Sequence, residues 1–493
     1  GPQPHGCGPR ATLLNECENR VMPIPSTLEI TAATVDPALL DLPWDIPLEE
    51  WPTEILAALP RGISRHVVRF VNLSDRVIAV KEIGESVAYR EYELLRDLSR
   101  LGAPSVLPTA VITGRRDAFG EELAAVLVTE HLQFSLPYRA VFSQHMTPET
   151  AGRLIDALAV LLVRLHLLGF YWGDVSLSNT LFRRDAGAFS AYLVDAETGE
   201  IHPSLTEGQR LYDVDLARTN IIGELMDLQA GSFFPSDEDP IEVGDRIRSR
   251  YLELWNELTG PEVIESNQKW RVAQRIRRLN DLGFEVGELQ MSSDLDGTHL
   301  IITPKVVDAG HHHRKLMRLT GMDVGENQAQ RMLNDIETYR AMTGKIRMPL
   351  EIVAHEWMNE VFEPVITAVP AELAAKLEPA QIFHEFLEHR WYLAQDAGHD
   401  VPQDEAIQSY VESILPTKRD EAMLLDPALM TTPDAGVASD METLTTAEDF
   451  SRQEERAGID GMHGKADETE TPTDRPKMQF VPGVGLIPVD DYF

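Results

Sequence analysis

The residues with the clearest chemical potential lie in one short loop and at the end of a nearby apolar run. Residues 173–179 read Gly-Asp-Val-Ser-Leu-Ser-Asn, and residues 192–195 read Tyr-Leu-Val-Asp. Asn179 and Asp195 offer amide and carboxylate oxygens, which are ligands suited to Mg²⁺. Asp174 could orient or deprotonate an attacking hydroxyl, as phosphoryl transfer from ATP requires. The spacing therefore predicts Asp174 as a catalytic carboxylate, with Asn179 and Asp195 as metal ligands.

The same chemistry needs a cation on the phosphates and an acid that orients this cation. Lys81 ends the apolar run Val77–Val80, and Glu91 lies on the predicted helix that follows. We predict that Lys81 holds the α- and β-phosphates of ATP and that Glu91 positions Lys81. Glu93 is the competing partner, because the sequence does not fix the rotation of the helix. Taken singly, these residues could be an ordinary surface lysine, a solvated helix acid, a turn residue or a helix cap. Their joint occurrence is what favours an ATP-binding site.

These segments together resemble the kinase-like superfamily, and most of all its atypical RIO-like and lipopolysaccharide-kinase-like members. The strand that ends at Lys81 resembles the V-A-I-K strand of protein kinases, and residues 173–179 resemble the G-D-x-S-x-x-N loop of the atypical members. The resemblance covers roughly residues 65–229 and implies a two-lobed fold that binds ATP and Mg²⁺. The whole layout is also similar to actinobacterial proteins in which a lipopolysaccharide-kinase-like region precedes an uncharacterised C-terminal domain.

The predicted nucleotide contacts outside the metal site are weaker signals. No G-x-G-x-x-G loop precedes Lys81, and only Gly62 stands where the phosphates should be covered. The sequence therefore predicts either weaker binding of the phosphates or phosphate contacts from Ser64 and Arg65. Residues 130–132 would form the hinge, where backbone groups of Glu130 and Leu132 would meet adenine.

Three further positions depart from the protein-kinase pattern. Trp172 replaces the usual His before the catalytic loop, Ser176 replaces a Lys, and residues 195–197 read Asp-Ala-Glu instead of D-F-G. These departures argue against an ordinary protein kinase. They leave open an alternative function, a nucleotide-binding pseudokinase scaffold whose helical domain binds partners.

The predicted elements place these groups on an α+β architecture. Apolar periodicity and turn residues predict β-β-α-β-β between residues 66 and 130. A helix that begins near Thr147 and ends before Gly169 leads to the catalytic loop, two short strands and further helices. The fold class is thus a two-lobed kinase-like domain, followed by a mainly α-helical domain and a disordered acidic tail.

We divide the chain into four predicted parts. They are an irregular segment over residues 1–52, the kinase-like domain over 53–235 (N-lobe 53–132, C-lobe 133–235), the mainly α domain over 236–416 and the tail over 417–493. Trp44 and Trp51 are candidate anchors of the first segment. Met22 is a plausible native start, which leaves open whether residues 1–21 are native.

Composition limits the environment and the partners. The formal net charge of −36 disfavours nucleic acid as a partner, and the tail holds 17 acidic and 7 basic residues. The two cysteines, Cys7 and Cys17, do not suggest a disulfide framework, so the cytoplasm is the expected compartment. No apolar run is long enough for a membrane span. The expected partners are ATP, an unidentified hydroxyl acceptor and a possible protein bound through the C-terminal domain or the tail.

Overall fold

The computed structural model describes most of the chain between residues 28 and 421. The described residues are 1, 28–34, 36–57, 66–73, 76–138, 141, 148–265, 268, 270–293, 299–418 and 420–421, with the backbone of 478–481 and 485–488. Ser64 lies outside the described residues, and so does nearly all of the predicted disordered tail. Within the tail, strands β14 (Met478–Val481) and β15 (Gly485–Pro488) pair as an antiparallel hairpin.

The N-terminal lobe is built on a five-stranded antiparallel sheet with the order β1-β4-β5-β3-β2. Its strands are β1 (Glu29–Ala32), β2 (Val68–Leu73), β3 (Arg76–Ile83), β4 (Pro108–Thr113) and β5 (Ala125–Glu130). Helix α1 (Glu85–Arg100) connects β3 to β4 and covers one face of this sheet. Its buried residues Ala88, Tyr92 and Leu95 follow helical spacing, so one stripe of the helix faces the core.

The interval 1–52, predicted to be irregular, contributes structure to this lobe. β1 pairs with β4, and the buried side chains of Trp44 and Trp51 pack edge to face with ring centroids 5.2 Å apart. The guanidinium of Arg115 is buried and donates to the carbonyl oxygens of Trp44 at 3.0 Å and Ile46 at 2.6 Å. A short local stretch could not reveal this strand, because its partner lies far along the chain.

The C-terminal lobe packs helices around the strands that carry the candidate site. The elements are β6 (Leu136–Pro137), α2 (Pro148–Leu167), β7 (Phe170–Tyr171), β8 (Thr180–Asp185), β9 (Ala188–Leu193), β10 (Glu200–Ile201), α3 (Glu207–Ala230) and α4 (Pro240–Thr259). A capping box between Thr206 and Gln209 begins α3. Asp239 caps α4, and Pro240 occupies its first turn.

The first hydrophobic core does not end at residue 235. It includes Ile247 and Tyr251 of α4 and continues to Phe284. The second core begins at Leu316 and contains the later helices. The four-part division stays a prediction, but its boundary at 235/236 falls between two helices, α3 and α4, that share one core.

The C-terminal region is mainly helical, as predicted, and begins with a small sheet. The helices are α5 (Trp270–Asp281), α6 (His311–Thr320), α7 (Glu326–Met342), α8 (Leu350–Trp357), α9 (Glu363–Thr367), α10 (Pro379–Ala397) and α11 (Gln403–Ser409). The sheet has the order β11-β13-β12, from β11 (Glu262–Glu265), β12 (Phe284–Ser293) and β13 (His299–Ala309). None of the helices in the described part of the chain is long and apolar enough to cross a membrane.

Candidate functional site

Lys81 contacts two acids, Glu91 and Asp195, that the sequence predicted as members of the same site. Its Nζ donates to a carboxylate oxygen of Glu91 at 3.1 Å and of Asp195 at 2.9 Å. Glu91 lies on the core-facing side of α1 and is 1% exposed, whereas Glu93 is exposed. The rotation of α1 therefore makes Glu91, and not Glu93, the partner of Lys81.

Burial and charge act against each other in this cluster. Burial disfavours the ammonium form of Lys81, but the negative charges of Glu91 and Asp195 outweigh it and raise the pKa of Lys81. Burial raises the pKa of Glu91 above its usual range, although Lys81 opposes this shift. Lys81 therefore stays cationic, which a phosphate-binding group requires.

The loop before β8 holds Asp174 and Asn179 together. The side-chain amide of Asn179 donates to the backbone oxygen of Asp174 at 3.0 Å and to its carboxylate at 3.1 Å. Because Nδ2 makes both contacts, Oδ1 is the atom of Asn179 that could bind a metal. Ser176, at the position of the expected lysine, accepts the N–H of Asn179 on its hydroxyl at 3.1 Å. In this position Ser176 shapes the loop.

Asp195 is joined to the same loop. The indole N–H of Trp172 donates to the carbonyl oxygen of Asp195 at 2.9 Å, so the residue that replaces the usual His fixes the end of this strand. The N–H of Val194 donates to the carbonyl oxygen of Asn179 at 3.1 Å. Lys81, Glu91, Asp174, Asn179 and Asp195 therefore belong to one connected cluster.

Helix α3 anchors the loop through three residues that sequence reasoning missed. The buried carboxylate of Asp213 accepts the N–H groups of Trp172 and Gly173, both at 2.8 Å. Asn220 donates to the carbonyl oxygen of Val175 at 2.9 Å. The third residue is Glu224. Asp213, Asn220 and Glu224 are separated by seven and four positions, which places them on one face of a helix. That spacing is the one signal in the sequence that could have suggested them.

Glu224 completes this anchor at the other end of the loop. Its carboxylate accepts the N–H groups of Leu177 and Ser178, both at 2.9 Å, and the hydroxyl of Ser178 at 2.6 Å. Carboxylates that accept several backbone N–H groups form strong, charge-assisted hydrogen bonds. Residues 172–178 are thereby held at both ends by one helix.

A buried histidine lies behind Asp213. His166 contacts Asp213 through Nε2 at 3.2 Å and the hydroxyl of Tyr251 through Nδ1 at 2.8 Å. Burial lowers the pKa of His166, although Asp213 opposes the shift. Burial also raises the pKa of Tyr251 to about 12. Since Tyr251 belongs to α4, the support of the catalytic loop extends past the predicted boundary at residue 235.

Two further acids, Glu91 and Glu197, lie beside Asp195, which is one of the two predicted metal ligands. Carboxylate oxygens of Glu91, Asp195 and Glu197 lie within 4.8 Å of one another. The N–H of Glu197 donates to Asp195 Oδ1 at 3.1 Å, which fixes the turn that replaces D-F-G. Oxygen atoms of this kind suit Mg²⁺, so the donor set fits a divalent metal. Sequence reasoning named Asp195 but not Glu197.

The predicted hinge lies in the described part of the chain, and two of its backbone N–H groups already have partners. The N–H of Glu130 donates to the carbonyl oxygen of Leu107 at 2.8 Å, and that of His131 to Val77 at 3.0 Å. The carboxylate of Glu130 forms an ion pair with Arg76. Neither of these two N–H groups is therefore available to adenine. The predicted contacts of Glu130 and Leu132 with a nucleotide stay predictions.

Two regions of the chain match known protein families. Residues 72–219 match the model of the lipopolysaccharide kinase (Kdo/WaaP) family, and residues 253–415 match a domain of unknown function, DUF4032. No curated protein matches the chain. One matching solved structure is described as WaaP in complex with acyl carrier protein, with 17% sequence identity and a TM-score of 0.29, over 52% of this chain and 99% of that chain.

The match of residues 72–219 confirms the resemblance to lipopolysaccharide-kinase-like proteins. The mixed sheets and helices of the structure confirm the α+β fold class predicted from the sequence. The roles of the individual site residues stay predictions, because no comparison gives a role to any single residue. The chain joins a region that matches the lipopolysaccharide kinase (Kdo/WaaP) family to one that matches DUF4032.

Proposed function

We propose that the chain is an ATP- and Mg²⁺-dependent phosphotransferase that acts on a hydroxyl of a small molecule, a glycan or a protein. The observation that carries the proposal is the contact of Lys81 with Glu91 at 3.1 Å and with Asp195 at 2.9 Å. Phosphoryl transfer needs a fixed cation beside oxygen ligands for the metal. The match of residues 72–219 to a kinase family supports the same class of reaction.

Each residue of the cluster has one task in this proposal. Lys81 binds the α- and β-phosphates, and Glu91 keeps its ammonium directed at them. Asn179 Oδ1 and the carboxylate of Asp195 hold Mg²⁺, whose charge neutralises the phosphates when it is bound. Ser64 would contact the phosphates, and backbone groups of Glu130 and Leu132 would contact adenine.

Asp174 acts on the acceptor. Its carboxylate lies 3.1 Å from the amide nitrogen of Asn179, so the proposed base is adjacent to the proposed metal ligand. It would orient the acceptor hydroxyl and take up its proton as the phosphoryl group transfers. General base catalysis of this kind contributes about 10² to 10⁴ in rate.

Two substitutions test binding and transfer separately. We expect Lys81→Met to abolish the increase in melting temperature that ATP and Mg²⁺ produce. Asp174→Ala should keep this increase but lower phosphoryl transfer at least about a hundredfold. Glu91→Gln should weaken ATP binding, and the exposed neighbour Glu93→Gln is the matched control. Unchanged ATP binding and hydrolysis in Lys81→Met would contradict the proposal.

The pseudokinase scaffold predicts a different result. Wild-type protein would then bind ATP and transfer no phosphate to any acceptor, and its helical region or tail would bind a protein partner. Incubating cell extract with the protein and labelled ATP, followed by mass spectrometry, distinguishes the two hypotheses. Label on protein or glycan that disappears with Asp174→Ala supports the enzyme, and label that persists does not.

A further inference from the structure

The β8–β9 hairpin connects the proposed metal site to the C-terminal region. β8 begins at Thr180, directly after Asn179, and β9 ends at Leu193, shortly before Asp195. Thr180 and Leu193 are paired in the hairpin. Both predicted metal ligands therefore flank the same two paired strands.

The turn of this hairpin is held by the C-terminal region. The carboxylate of Asp185, at the end of β8, is 1% exposed. It accepts the N–H of Gln328 at 2.7 Å, the N–H of Asn327 at 3.2 Å and the side-chain amide of Asn327 at 3.1 Å. Both donors lie in the first turn of α7, where N–H groups lack partners within the helix. A buried negative charge there also interacts favourably with the helix dipole.

Further polar contacts fix the same strand. Arg183 forms an ion pair with the largely buried Glu378. Arg184 contacts Glu421 at 2.6 Å, and its carbonyl oxygen accepts the side-chain amide of Gln328 at 3.1 Å. Three successive residues of β8 are thus bound by residues that lie more than a hundred positions later in the chain.

The turn of the hairpin also borders a cavity with a mainly polar lining. A cavity of about 570 Å³ lies between the turn and α7, and Arg153, Gln330 and Arg331 are among its lining residues. The strands of the hairpin pack into the apolar core through Phe182 and Leu193. The turn itself is held by polar contacts. They are those of Asp185, which also accepts the hydroxyl of Ser190 at 2.7 Å, and the bond from the guanidinium of Arg153 to the carbonyl oxygen of Gly187 at 2.9 Å.

We propose that Asp185 is a positioning residue, through which the DUF4032-matching region fixes Asn179 and Asp195 for metal binding. This inference rests on the proposed function. It makes the C-terminal region a part of the phosphoryl-transfer site, rather than only a module that presents a substrate.

A glycine on the far side of the contact allows a test that leaves the hairpin sequence intact. A Cβ at Gly325 would overlap the carboxylate of Asp185, whereas the backbone angle of −60° at Gly325 suits alanine. Gly325→Ala should therefore displace Asp185 from α7. Gly208→Ala is the control, because nothing lies within 4 Å of the added Cβ. Asp185→Asn is the second variant and removes the charge with little change of shape.

Amide hydrogen exchange, measured by mass spectrometry without nucleotide, tests the coupling. We expect Gly325→Ala and Asp185→Asn to speed exchange at least threefold in peptides that contain Asn179, Val194 and Glu197. Peptides of α3 should be unchanged, and Gly208→Ala should match wild type. Two results would overturn the inference. They are an equal increase of the exchange rate in all peptides, and an unchanged rate at the three amides. A contact that only stabilises the fold would produce either result.

Calorimetric titration with ADP separates this inference from the proposed function. In wild type, the affinity for ADP should be higher with Mg²⁺ than with EDTA. In both variants the ratio of these two affinities should fall at least threefold. The affinity measured in EDTA should differ from that of wild type by less than twofold. An unchanged ratio overturns the inference and leaves the proposed function standing. Absence of ADP binding in wild type overturns the proposed function, even if the exchange rates show that the hairpin is coupled to α7.

Discussion

Asp213 should be the residue of α3 whose substitution most destabilises the loop of residues 172–178. Its carboxylate is fully buried and accepts two backbone N–H groups, from Trp172 and Gly173, at 2.8 Å each. Asparagine has nearly the same shape but offers one acceptor oxygen and one amide donor. Asp213→Asn should therefore leave one of these N–H groups facing another donor.

The expected cost follows from the lost contacts. A hydrogen bond to a charged group contributes about 1.5–3 kcal/mol, and an unsatisfied buried donor costs about 1–3 kcal/mol. Because these ranges describe overlapping parts of one loss, we expect about 2–4 kcal/mol in total. For a cooperative unit of about 150–250 residues, each kcal/mol lowers the melting temperature by about 2–4 °C. The first melting transition should therefore fall by about 4–16 °C.

Differential scanning calorimetry measures this shift, and the same helix supplies a matched control. Asp215 is exposed, with 55% of its side chain accessible, and pairs with Arg248. Asp215→Asn should change stability by less than about 0.5 kcal/mol, as expected for an exposed ion pair. Equal melting temperatures for the two variants would refute the anchoring role of Asp213.

Two further predictions concern other buried charges. Burial raises the pKa of Asp335 from 3.8 to about 6, although the indole of Trp357 donates to it at 2.7 Å. The folded state then binds this proton more tightly than the unfolded state, so stability should fall by about 1–3 kcal/mol as pH rises from about 4 to about 6. Urea titrations over this range should show that Asp335→Asn removes the decline, and a persistent decline would contradict the assignment. Arg115→Ala should lower the free energy of unfolding by about 3–5 kcal/mol. In wild type the guanidinium lies 2.7 Å from the carboxylate of Glu82, and the substitution leaves that carboxylate with an uncompensated charge. Arg116→Ala, an exposed neighbour, should be nearly neutral in the same denaturation assay.

The sequence was most informative where one chemical task requires fixed residue types. Lys81, Glu91 and Asp195 come together in the structure because β3, α1 and the segment after β9 each contribute one of these side chains to the same contact. The choice between Glu91 and Glu93 needed the structure, since only packing sets the rotation of α1. The predicted strands and helices of the first lobe also follow local periodicity.

Long-range contacts account for what sequence reasoning missed. The carboxylates of Asp213 and Glu224 read as ordinary helix acids until the loop that they bind is placed beside them. Asp185 likewise reads as a turn residue, and its partners lie in another predicted domain. In each case an acid is buried because its acceptor atoms face backbone N–H groups from a distant segment, and no local pattern specifies that pairing.

The short strand β1 has a consequence for association between chains. It covers the side of β4, whose residues Ala110–Thr113 are buried. An open strand edge of such composition is a template for pairing with another molecule. β1 itself is only four residues long, and its positions alternate between more and less exposed. Its own free edge is therefore a poor template for pairing with another chain. Loss of residues 29–32 would therefore expose an apolar border to intermolecular strand addition, and aggregation would set in before the contacts of Lys81 were disturbed.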